Sequence, residues 1–312
     1  MYPFLLLLTG IVLCCVHGGA AAHIPYGVQE VIFLSATLLL GVPHGAADLL
    51  VARQNARRSS GRFSVLRFFV EYLGAILVFA GMFYFFPIIA TFIFILLAAY
   101  HFGESDVSRY GVRGYAGVAF SGIYGLFIIG AIILPHWAGV MPTIGAIVTA
   151  PSQQHLLSAI GSHRYEVLGL LAVCMFIISI YSLRISASTS LHKRMFWVGT
   201  CGIVLIVAQL PMLLGFTCYF VFWHSIRSMH QIVAYLMSSR SVSLPRILWQ
   251  MAFYSFMAIV GIAIVCIYIY GYTGSRSLQI YLFVGLAVLT APHMRVMHHM
   301  HIAESGTGDV GH

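Results

Sequence analysis

Apolar runs long enough to cross a bilayer, about 20 residues each, follow one another along this chain with little between them. They fall near residues 3–22, 28–50, 65–86, 88–106, 115–135, 165–184, 195–211, 212–237, 248–270 and 278–300. That pattern predicts an all-α polytopic membrane helix bundle of about ten transmembrane helices. Pro87 and Pro211 mark short breaks between neighbouring spans, and the weaker run at 137–150 is expected to lie in the interface. Hydrophobic residues make up 60% of the 312 and charged residues only 8%, against about 25% charged in a soluble domain. Few surfaces could keep such a chain in water. With no internal repeat, low-complexity tract or soluble insertion, residues 1–302 are expected to form one transmembrane domain, and 303–312 a disordered cytoplasmic tail. Residues 1–22 read as a first helix or a signal peptide. The small residues of "GGAAAH" offer a cleavage site, but the usual positive start is missing.

The net charge of +8 is not a nucleic-acid signal, because no basic face interleaved with aromatics occurs. In a membrane protein, Lys and Arg accumulate in cytoplasmic loops. Arg53, Arg57, Arg58, Arg62 and Arg67 follow the second span, Arg109 and Arg113 the fourth, Arg184, Lys193 and Arg194 the sixth, and Arg240 and Arg246 the eighth. The alternate connections hold Arg164 and Arg276. The asymmetry predicts a multi-pass protein of the inner (cytoplasmic) membrane with both chain ends cytoplasmic. Cys14, Cys15, Cys174, Cys201, Cys218 and Cys266 all lie in apolar runs without a CxxC pair. They suggest neither a zinc site nor a disulfide framework, and read as small buried hydrophobes.

Within these oily spans stand histidines. His44, His101, His224 and His293 fall on four spans that share one direction, each about 12 to 16 residues from its start, or roughly 18–24 Å deep at 1.5 Å per residue. They therefore share one level and can converge. An ionisable group inside a span is by default a functional candidate. Neutral imidazole is the commonest metal ligand and suits iron, copper, nickel or zinc rather than magnesium or calcium. A single such histidine is as readily a hydrogen-bonding partner for a neighbouring helix, and the set of four carries the metal reading.

Only eight acids exist, too few for a typical carboxylate-bridged di-iron site. Asp48, Glu104 and Asp106 lie just beyond His44 and His101. They are expected to orient ligand histidines by accepting their other N–H, or else to be solvated helix ends. Arg227 is a candidate partner for Asp48 or Asp106. Glu71, in mid-helix, has no assigned partner from sequence.

Four segments carry a family resemblance. "GVPHGAADLL" (41–50) resembles the G-x-P-H-G-x-x-D segment of the Brp/Blh family of β-carotene 15,15′-dioxygenases. "YHFGESDV" (100–107), "FWHSIRSMH" (222–230) and "APHMRV" (291–296) are similar to its H-F-G-x-x-D, W-H-S-x-R-H and P-H-M segments, in the same order. The resemblance implies a transmembrane catalytic domain holding Fe(II) through histidines alone. With O₂ it would split β-carotene, drawn from the lipid bilayer, into two retinal molecules, with a retinal-accepting rhodopsin as a possible partner. By motif, His44, His101 and His224 become ligands. The family places a further histidine four residues after the third, where this chain has Ser228. His230, six residues on, stands about 120° away around a regular helix; a π-bulge could turn it inward. The fourth ligand is left among His293, His230 and water.

Two other readings compete. One is a related oxygenase acting on another polyene or terpenoid lipid, for which the Ser228 departure speaks. The other is a non-catalytic membrane protein, either a carotenoid or retinal binder or a metal transporter; the strongly apolar outer halves of the histidine-bearing spans oppose an ion path. "HHMH" (298–301) reads as a solvated helix end, since the H-x-x-x-H and H-x-x-H-H boxes of membrane desaturases are absent.

Overall fold

A computed structural model describes residues 8, 11–12, 14–18, 24–59, 61–148, 150–238, 243–273 and 278–306. Helices account for nearly all of them, and no strand occurs among the described residues. Seven described helices are long and apolar enough to cross a membrane: Tyr26–Arg58, Val65–Phe85, Pro87–Tyr110, Gly114–Ile133, Arg164–Ile185, Ser190–Gln209 and Leu244–Val265. The expected spans at 212–237 and 278–300 are helical but are not among those seven. The expected span at 3–22 lies largely outside the described residues. Of the expected disordered tail, residues 303–306 instead continue the last helix to Gly306, and 307–312 lie outside the described residues.

The elements, in order, are α1 (Tyr26–Ala36), a π-helical turn π1 (Thr37–Gly41), α2 (Val42–Ala46), α3 (Asp48–Arg58), α4 (Val65–Phe85) and α5 (Pro87–Val107). There follow α6 (Gly114–Ile133), α7 (Trp137–Ile147), α8 (Pro151–Ser162), α9 (Arg164–Ile185), α10 (Ser190–Gln209) and α11 (Met212–Thr217). A second π-helix, π2 (Cys218–Ser225), leads to α12 (Ile226–Met237), α13 (Leu244–Thr273) and α14 (Leu278–Gly306). Helix α8 occupies what the sequence reads as a connection; Pro151 at its first turn fits a position that needs no N–H.

The chain forms two compact units: residues 1–41, 98–145 and 149–226, and residues 42–97, 146–148 and 227–312. In the first, Phe196 of α10 meets Tyr110, Phe120 and Tyr124 with ring centroids 5.5, 5.7 and 5.6 Å away. The Ser186 hydroxyl donates to the Tyr110 carbonyl at 2.5 Å. Gly111, at φ 67°, closes the 3₁₀ turn after α5 in the left-handed region, where a side chain would be strained. Helices α5 and α6 touch backbone to backbone: a Cβ on Gly103 would overlap the Ser121 carbonyl, and one on Gly125 the Ala99 carbonyl. Small residues at such crossings let membrane helices approach closely.

In the second unit, Ala47, Leu50 and Val51 pack with Ile232, Tyr235, Ile247, Met251, Met297 and Met300, drawn from α3, α12, α13 and α14. The Tyr235 hydroxyl donates to Asn55 Oδ1 at 2.6 Å. A smaller core joins Phe79 and Phe83 of α4 to Ala90, Ala287 and Val288. Glu71 is partly exposed and pairs with Arg67 at 2.7 Å and Arg295 at 3.4 Å.

Replacing Gly103 or Gly125 by Ala should lower thermal stability in detergent by the about 1–3 kcal/mol typical of overpacking. Gly74→Ala and Gly81→Ala, where a Cβ meets nothing within 4 Å, should not. Equal melting temperatures for all four would contradict the close α5–α6 approach.

Candidate metal centre

Two π-helical segments shape the backbone around the motif histidines. Pro43 has no N–H to give the carbonyl of Leu39, and in a regular α-helix its ring would strike that carbonyl. The wider turn of π1 stands immediately before it, and His44 follows on α2. His224 lies within π2 itself. There the Ser225 hydroxyl donates to the Phe220 carbonyl five residues earlier, at 2.8 Å. π-helical turns are rare and frequent at functional sites.

In the second unit, His44 and His293 are 3% and 8% exposed and Asp48 is 3% exposed. His293 Nδ1 lies 2.7 Å from Asp48 Oδ1, and the Tyr72 hydroxyl donates to Asp48 Oδ2 at 2.8 Å. A carboxylate accepts, so Nδ1 of His293 carries the hydrogen, and its Nε2 is left with a lone pair. That Nε2 sits 2.8 Å from Nε2 of His44. Two ring nitrogens this close need either a hydrogen on one of them, making an N–H···N bond, or a metal ion. Asp48 is thus committed to Tyr72 and His293 rather than to Arg227.

In the first unit, His101 on α5 and His224 are 2% and 0% exposed, with ring centroids 4.9 Å apart. Phe102 lies 4.6 Å from the His224 ring, and Phe220 stacks on its other side at 6.2 Å and 15°. Asp106, 3% exposed, accepts from Trp223 Nε1 at 3.1 Å and from the Tyr219 hydroxyl at 3.1 Å. It ties α5 to π2 at Tyr219 and Trp223, just ahead of His224. Both donors lie on the segment that bears His224. Glu104 is buried and accepts from the Tyr100 hydroxyl at 3.1 Å.

His44, His101 and His224 are buried imidazoles that could hold a metal ion. The donor set consists of imidazoles alone, the chemistry that fits a transition metal such as iron and does not fit magnesium or calcium. His230 stands exposed on α12 and is not part of the group; the π-helix ends at Ser225, before it, and does not turn it inward. Ser228 is fully buried, and its hydroxyl has no hydrogen-bond partner among the described residues. Arg227 is half-buried. Sequence reasoning missed Tyr72, Tyr219 and Trp223. Tyr72 lies outside every motif, so no local pattern marks it, whereas Trp223 stands beside His224 and could have been taken as its support.

A helical multi-pass chain with a buried imidazole group suited to a transition metal is the class defined by this fold and site. Residues 35–301 match the family model described as "BCD: Beta-carotene 15,15'-dioxygenase". The match covers most of the chain, and the chain belongs to that family. No curated protein and no solved structure matches it. Family membership implies carotenoid dioxygenase activity, with an apolar polyene and O₂ as reactants.

With His293 as a metal ligand, Asp48→Asn should weaken metal binding by about 10–100-fold, the usual effect of losing a carboxylate behind such a histidine. Tyr72→Phe should give a smaller loss in the same direction. Titration of metal-stripped protein, with helicity as control, checks both; wild-type affinity in Asp48→Asn would exclude its support of a ligand.

Proposed function

We propose that this chain is a membrane-embedded non-haem iron oxygenase. It cleaves β-carotene at the central 15,15′ double bond with O₂ to give two retinal molecules. The observation that carries the proposal is the group of buried imidazoles within a chain of this family. His44, His101 and His224 hold the iron, and His293 supplies the fourth imidazole. The 2.8 Å approach of His293 to His44 supports that fourth assignment, as does the serine at position 228 where the family motif has histidine. In this reading the arginine-rich helix ends face the cytoplasm.

Iron bound by neutral ligands would supply the activation of O₂. The remaining work falls to the chain's own residues. Asp48 keeps the hydrogen of His293 on Nδ1 and so fixes which nitrogen faces inward, while Tyr72 holds Asp48 in place. Phe102 and Phe220 flank His224 and keep water from its ring. The substrate is as apolar as the lipid around the helices, and lateral entry between them requires no aqueous path. Placing one double bond beside the metal is then a matter of positioning.

A second reading, a related oxygenase acting on another polyene, is favoured by Ser228. A serine is smaller than the histidine it replaces in the motif and leaves the neighbourhood of His224 with a different shape.

Expression in β-carotene-producing cells should bleach their colour and yield retinal in a chromatographic assay. Another aldehyde product would select the second reading. Single Ala variants of His44, His101, His224 and His293 should lose turnover together with iron content, whereas His230→Ala should keep both. Full turnover by iron-free wild-type protein would defeat the proposal.

A further inference from the structure

Away from the histidines, the second unit holds a cavity of about 270 Å³ between α3, α12 and α13. Three arginines line it: Arg53 and Arg57 on α3, and Arg246 on α13. Among the described residues none of the three has a carboxylate within ion-pair distance. Arg53 has only the face of Phe63, 5.8 Å from its guanidinium carbon. The arginines are therefore like charges gathered around one space without an anion. Gln54 also lines the cavity; it is 6% exposed, and its amide has no protein partner among the described residues. Arg57 and Arg246 are exposed and Arg53 is half-buried, so three guanidinium groups stand open at the cavity beside the Gln54 amide, a set of donors that suits an acceptor-rich ligand. The rest of the wall is Leu50, Leu236, Ile247 and Gln250. Trp249, one turn from Arg246, is 76% exposed, and exposed tryptophan at a span's end marks the headgroup level of a bilayer.

We propose that this cavity binds the phosphate of an anionic membrane phospholipid. Arg53, Arg57 and Arg246 take the phosphate oxygens, Gln54 donates its amide N–H groups, and Leu50, Leu236 and Ile247 meet the start of the acyl chains. Planar guanidinium groups suit phosphate through paired hydrogen bonds, and basic pockets between transmembrane helices are known receptors for anionic headgroups. The bound lipid would join α3 to α13 without any protein–protein ion pair. The site does not depend on the oxygenase reading.

Native mass spectrometry of the purified, detergent-solubilised full chain tests the site, with phosphatidylglycerol, phosphatidylcholine and inorganic phosphate as probes. Phosphatidylglycerol should bind at least about tenfold tighter than phosphatidylcholine, given three arginines near one headgroup. The triple variant Arg53→Gln, Arg57→Gln, Arg246→Gln should lose that preference. The same charge change at exposed Arg62, Arg184 and Arg194 should leave it intact. Gln54→Leu, which alters no charge and leaves the arginines in place, should weaken phosphatidylglycerol binding, and it carries the test if the triple variant fails to fold. Equal binding of the two lipids by the wild type, or equal loss in both triple variants, would overturn the proposal. So would displacement of phosphatidylglycerol by inorganic phosphate at comparable concentration, which would make the occupant a soluble anion.

Discussion

The hydrogen bond between Asp48 and His293 is the interaction on which the second unit's site geometry depends. A carboxylate inside an apolar span is tolerated only when its oxygens are occupied, and those of Asp48 receive Tyr72 and His293. The arrangement reaches across three elements, α3, α4 and α14. It converts a burial cost into orientation, because the ring that satisfies Asp48 by Nδ1 must present Nε2 to His44. A buried polar group in hydrocarbon thus restricts its neighbours more tightly than any apolar contact could, since dispersion has no directional preference.

The first unit reaches a similar end by backbone means. Asp106 holds Trp223 and Tyr219, and both lie on π2, the segment that carries His224. The π-helical turns beside His44 and His224 are departures from the regular helix that the apolar runs favour. Each brings with it a local cause or compensation: Pro43 after π1, and the Ser225 hydroxyl on the Phe220 carbonyl within π2. Close backbone contact at Gly103 and Gly125 then brings α5 against α6. His101, and Phe102 and Gly103 after it, thereby occupy a helix whose position is fixed by small-residue packing and not by the histidine itself.

Much of this could be read from the chain. Twenty-residue apolar runs with few charges leave helix as the only economical arrangement of their backbone polar groups in lipid, and the helix positions from 28 onward follow the runs closely. The number of spans is less legible. The helices at 212–237 and 278–306 are not among the seven, and they are the two that carry His224 and His293. The four buried histidines were legible because each is costly where it stands. The supporting residues were legible only in part: Asp48 stands within a motif, whereas Tyr72 is one tyrosine among 17, with nothing in its local sequence to distinguish it.

The sequence by itself determined a helical chain with several membrane-length apolar spans, its family, and the imidazoles standing inside apolar runs, because hydropathy and motif order are properties of the chain taken one segment at a time. Only the tertiary structure decided that His293 faces His44 while His230 stays exposed, and that Asp48 serves His293 and Tyr72. The depth of a residue follows from counting along its helix. The direction in which its side chain points depends on the rotation of that helix about its axis, which is set by packing against segments as much as 249 residues away.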